Sequence, residues 1–228
     1  MTGTPRGWQI SVAVLTVWLL WGSTFLGIRV VVSSAPPLLS AGVRFFVAGA
    51  ILLTLVAGLR QFTGGPRIRE ALGGRVSRLC LLGLLHFLAA NGLISVAARD
   101  LPSSSAAVLF STVPLWLLVL TSAIGRVRPT TADLVCTSLG LAGVAVVLGY
   151  QSATLFPSVL VLLAALTWAG ATLVASRDPV LAGAARARAG AGLESSIQMI
   201  AGGLGLIIAA GLAGEWSAFD PNEVESEA

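Results

Sequence analysis

The sequence LLSAGVRFFVAGAILLTLVAGL, residues Leu38–Leu59, decides the fold class of this chain. It holds one charged residue, Arg44, and it is long enough to cross the hydrocarbon core of a bilayer as a helix. Unpaired backbone groups find no water in hydrocarbon, and the alternating polarity of a barrel strand is absent, so the segment must be helical. Seven such apolar runs fill the chain: Gln9–Ile28, Leu38–Leu59, Leu79–Ala98, Ser103–Ile124, Asp133–Leu148, Phe156–Val174 and Ser195–Leu212. We therefore predict an all-α polytopic membrane protein with about seven transmembrane helices.

The composition agrees with a membrane protein. Hydrophobic residues make up 56% of the 228 residues and charged residues 11%, against about 25% in soluble domains. All 14 basic residues are arginines, against 10 acidic residues. The net charge of +4 does not indicate nucleic-acid binding, because the arginines lie at helix ends and in short loops. Membrane lipid is the predicted environment.

The arginines also predict the orientation of the chain. Only Arg29 and Arg99 flank the helices on one side, with Arg44 just inside the second run. Cytoplasmic loops are enriched in basic residues, which predicts a cytoplasmic N-terminus and, after seven crossings, an extracytoplasmic C-terminus. The side predicted to be cytoplasmic carries Arg6, Arg60, Arg67, Arg69, Arg75, Arg78, Arg126, Arg128, Arg177, Arg186 and Arg188.

No catalytic or metal-binding set can be assembled from the sequence. There is one histidine, the cysteines Cys80 and Cys136 are far apart, and no nucleotide-binding loop is present. We predict no enzymatic activity, no metal and no cofactor.

A faint internal repeat is visible in the apolar runs. Trp21–Leu26 resembles Trp168–Leu173, and Arg44–Gly49 resembles Gln198–Gly203. If the sixth and seventh helices copy the first and second, the repeat unit has five helices, and an odd unit inverts across the membrane. Inverted repeats are a common architecture of secondary transporters.

At this point the chain resembles the EamA-type transporters of the drug/metabolite transporter superfamily. The motifs that carry the resemblance cover nearly the whole chain: Trp21–Phe25, Pro36-Pro37, Ala41–Phe45, Asn91–Leu93, Thr112–Trp116, Gly140–Val144, Trp168, Gln198-Met199 and Phe219–Pro221. The resemblance implies ten helices in two inverted halves, with a central cavity lined mainly by helices 1, 3 and 4 and by helices 6, 8 and 9. It also implies a transporter, here predicted to export small organic solutes or metabolites across the cytoplasmic membrane of a bacterium.

The sequence departs from the family pattern in length, because helices 8 to 10 are not among the seven runs. We predict a first repeat over residues 8–150, a partial second repeat over 156–213 and an acidic tail over 214–228. Either a second chain or a homodimer is expected to complete the structure. The alternative is a membrane assembly partner, or an inert remnant, that does not transport. Because the second half is incomplete, the polar groups of Asn91, Ser111 and Thr112 in the first half are expected to face lipid or a partner instead of a closed cavity.

Candidate substrate contacts are the polar, proline and tryptophan residues deep in the runs. Pro114 cannot donate to the carbonyl of Phe110, so a kink is expected that would free backbone carbonyls for a solute. A packing kink closed by nearby hydroxyl groups is the alternative, and core packing is the alternative for the tryptophans. The candidates are Trp21, Asn91, Thr112, Pro114 and Trp168.

Three further residues are candidates for proton relay or gating, namely His86, Arg44 and Gln198. His86 could titrate near neutral pH or could simply bond helix to helix. Arg44 could reach the membrane surface or pair with another helix, or it could bind an anionic group. The resemblance places helix 2 outside the cavity, which favours structural or gating roles for Arg44 and Gln198. On an ideal helix His86 and Asn91 point about 140° apart, so both are not expected to face one ligand.

Overall fold

The computed structural model describes residues 7–64, 68–124, 128–150, 155–177 and 191–217, and all regular elements in these ranges are helices. A five-residue helix, Ile68–Leu72, lies in the connection between the second and third long helices. The seven long helices are α1 (Gly7–Ser34), α2 (Pro37–Phe62), α3 (Val76–Ala97), α4 (Ser103–Ala123), α5 (Thr131–Tyr150), α6 (Leu155–Arg177) and α7 (Ala191–Leu212).

The helix count confirms the predicted fold class. Six of the described helices are long and apolar enough to cross a membrane, whereas α5 has a shorter apolar part, Thr131–Val146. Helix α1 continues six residues beyond the predicted end at Ile28. The charge of Arg29 is accommodated inside the helix, because its guanidinium donates to the carbonyls of Ala98 and Arg99 at the end of α3. The helix ends instead before Pro36, where proline disfavours a helical conformation for the preceding residue.

The main hydrophobic core joins α1, α3, α4 and α6. Its most buried side chains include Leu109 of α4 and Val161 of α6, both fully inaccessible to solvent, with Ile28 of α1 and Ile94 of α3 packed beside them. A second, smaller cluster joins the first half of α3 with α7 and contains Leu79 and Leu193. Helices α3 and α6 contribute to both clusters and thereby connect them.

Helix α7 packs closely against α2 because both carry glycine at the contact. A Cβ atom on Gly203 would lie 2.6 Å from the backbone nitrogen of Phe46, and one on Gly49 would lie 3.0 Å from that of Ile200. The helices run antiparallel, since rising numbers on α2 meet falling numbers on α7. Aligning Arg44–Gly49 with Gln198–Gly203 makes these two contacts reciprocal, which is the pattern that a two-fold relation produces. Glycine permits this close helix contact because it places no side chain between the two backbones.

Polar contacts hold both ends of α7. At its first turn, Glu194 accepts a bond from Arg75 at 2.5 Å, and both side chains are nearly buried. Just beyond its last turn, the Glu215 carboxylate accepts the backbone N–H groups of Leu38 at 3.0 Å and Leu39 at 2.9 Å. Those donors have no partner within α2, so Glu215 caps that helix from a distant part of the chain.

Helix α5 makes few contacts with the rest of the chain. Its N-terminus is capped locally: the Thr130 backbone N–H donates to Asp133 Oδ2 at 2.8 Å, and the Asp133 N–H donates to Thr130 Oγ1 at 3.2 Å. Most of its described side chains are exposed, and its main contacts among the described residues are with the first half of α4.

Candidate functional site

A central cavity of about 360 Å³ lies between six of the seven long helices. Helix α1 lines it with residues spaced three and four apart, from Trp21 to Ile28, which is one face of a helix. Helix α3 does the same from Phe87 to Ile94. The lining consists of Trp21, Thr24, Phe25, Ile28, Arg44, Phe45, Ala48, Phe87, Asn91, Ile94, Phe110, Trp168 and Met199.

Aromatic rings in edge-on contact form much of the wall. Trp21 and Trp168 meet at 89° with their ring centroids 6.0 Å apart, and the ring centroid of Phe110 lies 5.8 Å from that of Trp168. Across the cavity Phe45 and Phe87 are 4.7 Å apart. Edge-to-face contacts of this kind fix the ring orientations, so the wall is preorganised rather than loosely filled.

Three hydrophilic side chains line the cavity, those of Thr24, Arg44 and Asn91, and the Thr24 hydroxyl donates to the carbonyl of Leu20 at 2.9 Å. Asn91 is 9% exposed, and its Nδ2 donates to the backbone carbonyl of His86 at 2.9 Å. The Arg44 guanidinium lies 4.6 Å from the centroid of the Phe45 ring. Among the described residues, no carboxylate lies within ion-pair distance of Arg44.

Helix α3 departs from α-helical geometry at the cavity. Leu84–Asn91 forms a π-helix, in which each N–H pairs with the carbonyl five residues earlier. Residues five apart therefore lie closer in direction than on an α-helix, so the angle of about 140° expected between His86 and Asn91 is too large, yet only Asn91 of the two lines the cavity. The error came from assuming 3.6 residues per turn throughout the run.

His86 and Gln198, two of the predicted gating residues, lie together behind the tryptophan wall. The His86 Nδ1 atom is 3.4 Å from Gln198 Oε1, and its ring centroid is 4.6 Å from that of Trp168. Neither residue lines the central cavity, whereas Arg44 does. Helix 2 was expected to lie outside the family's cavity, but Arg44, Phe45 and Ala48 of α2 do line the cavity described here.

Helix α4 is interrupted beside the cavity, as Pro114 predicted. Its two α-helical parts are Ser103–Phe110 and Val113–Ala123. The Ser111 hydroxyl donates to the carbonyl of Val108 at 2.6 Å and the Thr112 hydroxyl to that of Leu109 at 2.7 Å. Local hydroxyl groups thus take up two carbonyls at the break.

The predicted substrate residues divide into three groups. Trp21, Asn91 and Trp168 line the central cavity. Pro114 lines a neighbouring cavity of about 410 Å³ on the other side of the two tryptophans. Thr112 is 3% exposed and lines neither cavity.

The polar groups expected to face lipid or a partner are mostly enclosed. Thr112 and Asn91 are buried and bonded within their own helices, so that expectation is wrong for both, whereas Ser111 is exposed. A hydroxyl or amide that reaches a carbonyl three to five residues earlier satisfies itself without a neighbouring helix.

The sequence-based prediction missed the phenylalanines of the wall. Phe25 could have been found, because it lies one turn beyond Trp21 on the same face of α1. Phe45, Phe87 and Phe110 could not, because their inward direction depends on helix crossing. Among the described residues, no cluster of three or more His, Cys, Asp or Glu side chains could hold a metal ion.

A third cavity, of about 530 Å³, opens at the end of the bundle that is predicted to be extracytoplasmic. It is polar, and Arg29, Arg99, Ser33 and Glu215 contribute to its lining. Glu215 is at the same time the cap of α2.

Comparison with known proteins identifies the family. The chain is 34% identical over 206 residues to YedA of Escherichia coli strain K12, whose name describes it as an uncharacterized inner membrane transporter; the match covers 89% of this chain and 62% of YedA. It is 27% identical over 165 residues to the transporter YoaV of Bacillus subtilis strain 168, covering 70% of this chain and 54% of YoaV. It is 28% identical over 115 residues to PagO of Salmonella typhimurium strain LT2, covering 49% of this chain and 34% of PagO.

The chain thus spans less than two thirds of the length of each of these relatives. No solved structure matches it. The family described as EamA-like transporters matches residues 8–149, well over half of the chain. This chain is a membrane protein of the EamA-like transporter family.

Proposed function

We propose that the chain transports small organic solutes out of the cell across a bacterial cytoplasmic membrane and binds them in the central cavity. The observation that carries the proposal is the position of that cavity, which is lined by residues of six helices in a chain of a transporter family. Preformed aromatic cavities with few polar groups are typical of small-molecule sites, and about 360 Å³ lies within their usual range of about 300–1,000 Å³.

Irregular helices around the cavity support a moving site. The π-helical part of α3 and the break in α4 both adjoin the tryptophan wall, and such departures are places where a helix can change register or angle. His86 and Gln198 contact this wall from behind. In this proposal their contact adjusts the position of Trp168 as solute enters and leaves.

Flux into liposomes tests the proposed function. The purified chain is reconstituted and offered labelled amino acids, organic cations and organic acids, one at a time. Saturable flux supports transport. Asn91→Leu should abolish that flux at normal protein levels, while Ser138→Leu, on an exposed site of α5, should leave it unchanged. A correctly folded chain without flux for any class would instead favour the membrane assembly partner.

Reporter fusions test the proposed orientation. A reporter joined after Gly214 should read as extracytoplasmic and one inserted between Gly64 and Arg75 as cytoplasmic, because the arginine-rich loops remain inside. A cytoplasmic reading at Gly214 would contradict the orientation, and with it the direction of transport proposed here.

A further inference from the structure

The central cavity has a marked imbalance of charge. Arg44 brings a guanidinium, which stays protonated in proteins, and none of the residues lining the cavity is acidic. Arg44 lies about two turns into α2, inside a membrane span, where a charged side chain is costly. The ring of Phe45 compensates only part of that cost.

The position of the guanidinium leaves it available to a ligand. The Arg44 side chain is accessible, and within the described part of the chain it makes no ion pair or hydrogen bond. By contrast, Arg29 is occupied by two backbone carbonyls and Arg75 by Glu194. Arg44 is thus a cation inside a membrane span that still lacks an anion.

The walls specify the rest of the ligand. Trp21, Phe45, Phe87 and Trp168 all line the cavity, and such an aromatic lining fits a planar apolar body. The Asn91 amide retains its carbonyl oxygen and a second N–H for a polar substituent, because one N–H is used by His86.

Adjoining cavities connect Arg44 with the outer end of the bundle. Arg44 and Ile28 also line a cavity of about 240 Å³, and Val32 is shared by that cavity and the polar outer cavity. Arg29 and Arg99 lie in the outer cavity, where the charge of Glu215 is taken up by the first turn of α2. Arginine side chains therefore line both the central cavity and the outer cavity.

From these observations we infer that the solute class is a small aromatic organic anion, with a carboxylate or an equivalent anionic group paired to the Arg44 guanidinium. The inference rests on the proposed function and narrows its substrate class. A carboxylate beside Arg44 forms charge-assisted hydrogen bonds in a low-dielectric cavity, while the aromatic body stacks against the rings.

Three probes of one shape test this inference: 3-phenylpropanoate, 3-phenylpropanamide and 3-phenylpropylamine. Their affinities are measured by equilibrium dialysis against the full chain in nanodiscs of phosphatidylcholine, so that no anionic lipid competes. The anion should bind most tightly and the amine most weakly. Arg44→Gln should weaken binding of the anion about 10- to 100-fold and leave the amide unchanged. Arg44→Lys should keep part of the preference, and Arg177→Gln, on an exposed arginine, should keep all of it.

The outcomes separate this inference from the proposed function. Unchanged amide binding by Arg44→Gln shows that the cavity is folded; if that variant fails to fold, the order of the three probes on the unaltered chain still decides. Equal affinities, or tightest binding of the amine, overturn the anion inference and leave a solute cavity in place. If none of the probes binds while the liposomes show flux of an unrelated cation, the inference fails and transport stands. Absence of both binding and flux overturns both.

Discussion

Helices α5 and α7 are similar in sequence and opposite in packing. Both are apolar and rich in glycine, yet a Cβ atom on Gly202 or Gly203 of α7 would collide with α3 or α2, whereas one on Gly143 or Gly149 of α5 would meet nothing within 4 Å. Glycine therefore marks a close helix contact only where a partner helix presents a matching surface. Helix α7 also has polar contacts with other helices at both ends, whereas the polar contacts seen for α5 in the described part of the chain belong to its own local cap.

The difference in packing between α7 and α5 is tested most directly by adding the same side chain to both helices. Gly203→Leu should prevent α7 from packing on α2, because even its Cβ would lie 2.6 Å from the Phe46 backbone nitrogen, and a backbone cannot move aside as a side chain can. We expect little or no monodisperse protein after extraction in mild detergent. Gly143→Leu is the matched control and should behave like the unaltered chain. Equal yields of the two variants would show that α7 is not held where the structure places it.

The ion pair at the start of α7 should have the next largest effect. Arg75→Ala and Glu194→Ala should each lower stability by about 1–3 kcal/mol, between the values for exposed and for buried pairs, because the two side chains are only 12% and 13% exposed. A double-mutant cycle on thermal unfolding in detergent measures their coupling. Additive losses would mean that Arg75 and Glu194 act separately.

The cap at the other end of α7 should have a smaller effect. Glu215→Gln keeps an acceptor for Leu38 and Leu39 but loses the charge that complements the first turn of α2. We expect a loss of about 1 kcal/mol in the same unfolding measurement. Asp100→Asn removes an exposed acid close to the end of α3 and should change little. If Glu215→Gln leaves the free energy of unfolding unchanged, the charge of the distant cap contributes nothing to stability.

Hydropathy and arginine positions were sufficient to predict the helices of this fold. They gave seven runs, and the tryptophans deep in two of them, Trp21 and Trp168, do meet at the cavity. Pro114 likewise predicted the break in α4, because its effect is local and depends only on the missing N–H.

Features that depend on distant residues or on irregular geometry could not be predicted in the same way. Glu215 caps a helix that begins 178 positions earlier, at Pro37, and no local pattern pairs them. The π-helical part of α3 lets the Asn91 side chain reach the backbone carbonyl of His86, five residues earlier, and the usual periodicity of an α-helix does not predict this bond. Arg44 was expected at the periphery because the resemblance describes a whole family, whereas its place at the cavity follows from how α2 crosses α7 in this chain.

Thiol labelling offers the gentlest test of the comparison, because its main measurement is made on the unaltered chain. Cys80 and Cys136 both lie in the second turn of their helices, α3 and α5, but Cys136 is exposed and Cys80 only partly so. N-ethylmaleimide should therefore modify Cys136 severalfold faster, with Cys80→Ser and Cys136→Ser used to assign each rate. Cys80 lies one turn before Gly83, where α3 meets Gln198 of α7, so loosening that contact should raise the rate of Cys80 alone. Arg75→Ala removes the ion pair at the start of α7, so it should raise the modification rate of Cys80 and leave that of Cys136 unchanged. If both cysteines react equally fast in the unaltered chain, the packing of α7 on α3 gives Cys80 no more protection than Cys136 has on α5. The contrast in packing between α7 and α5 would then be contradicted.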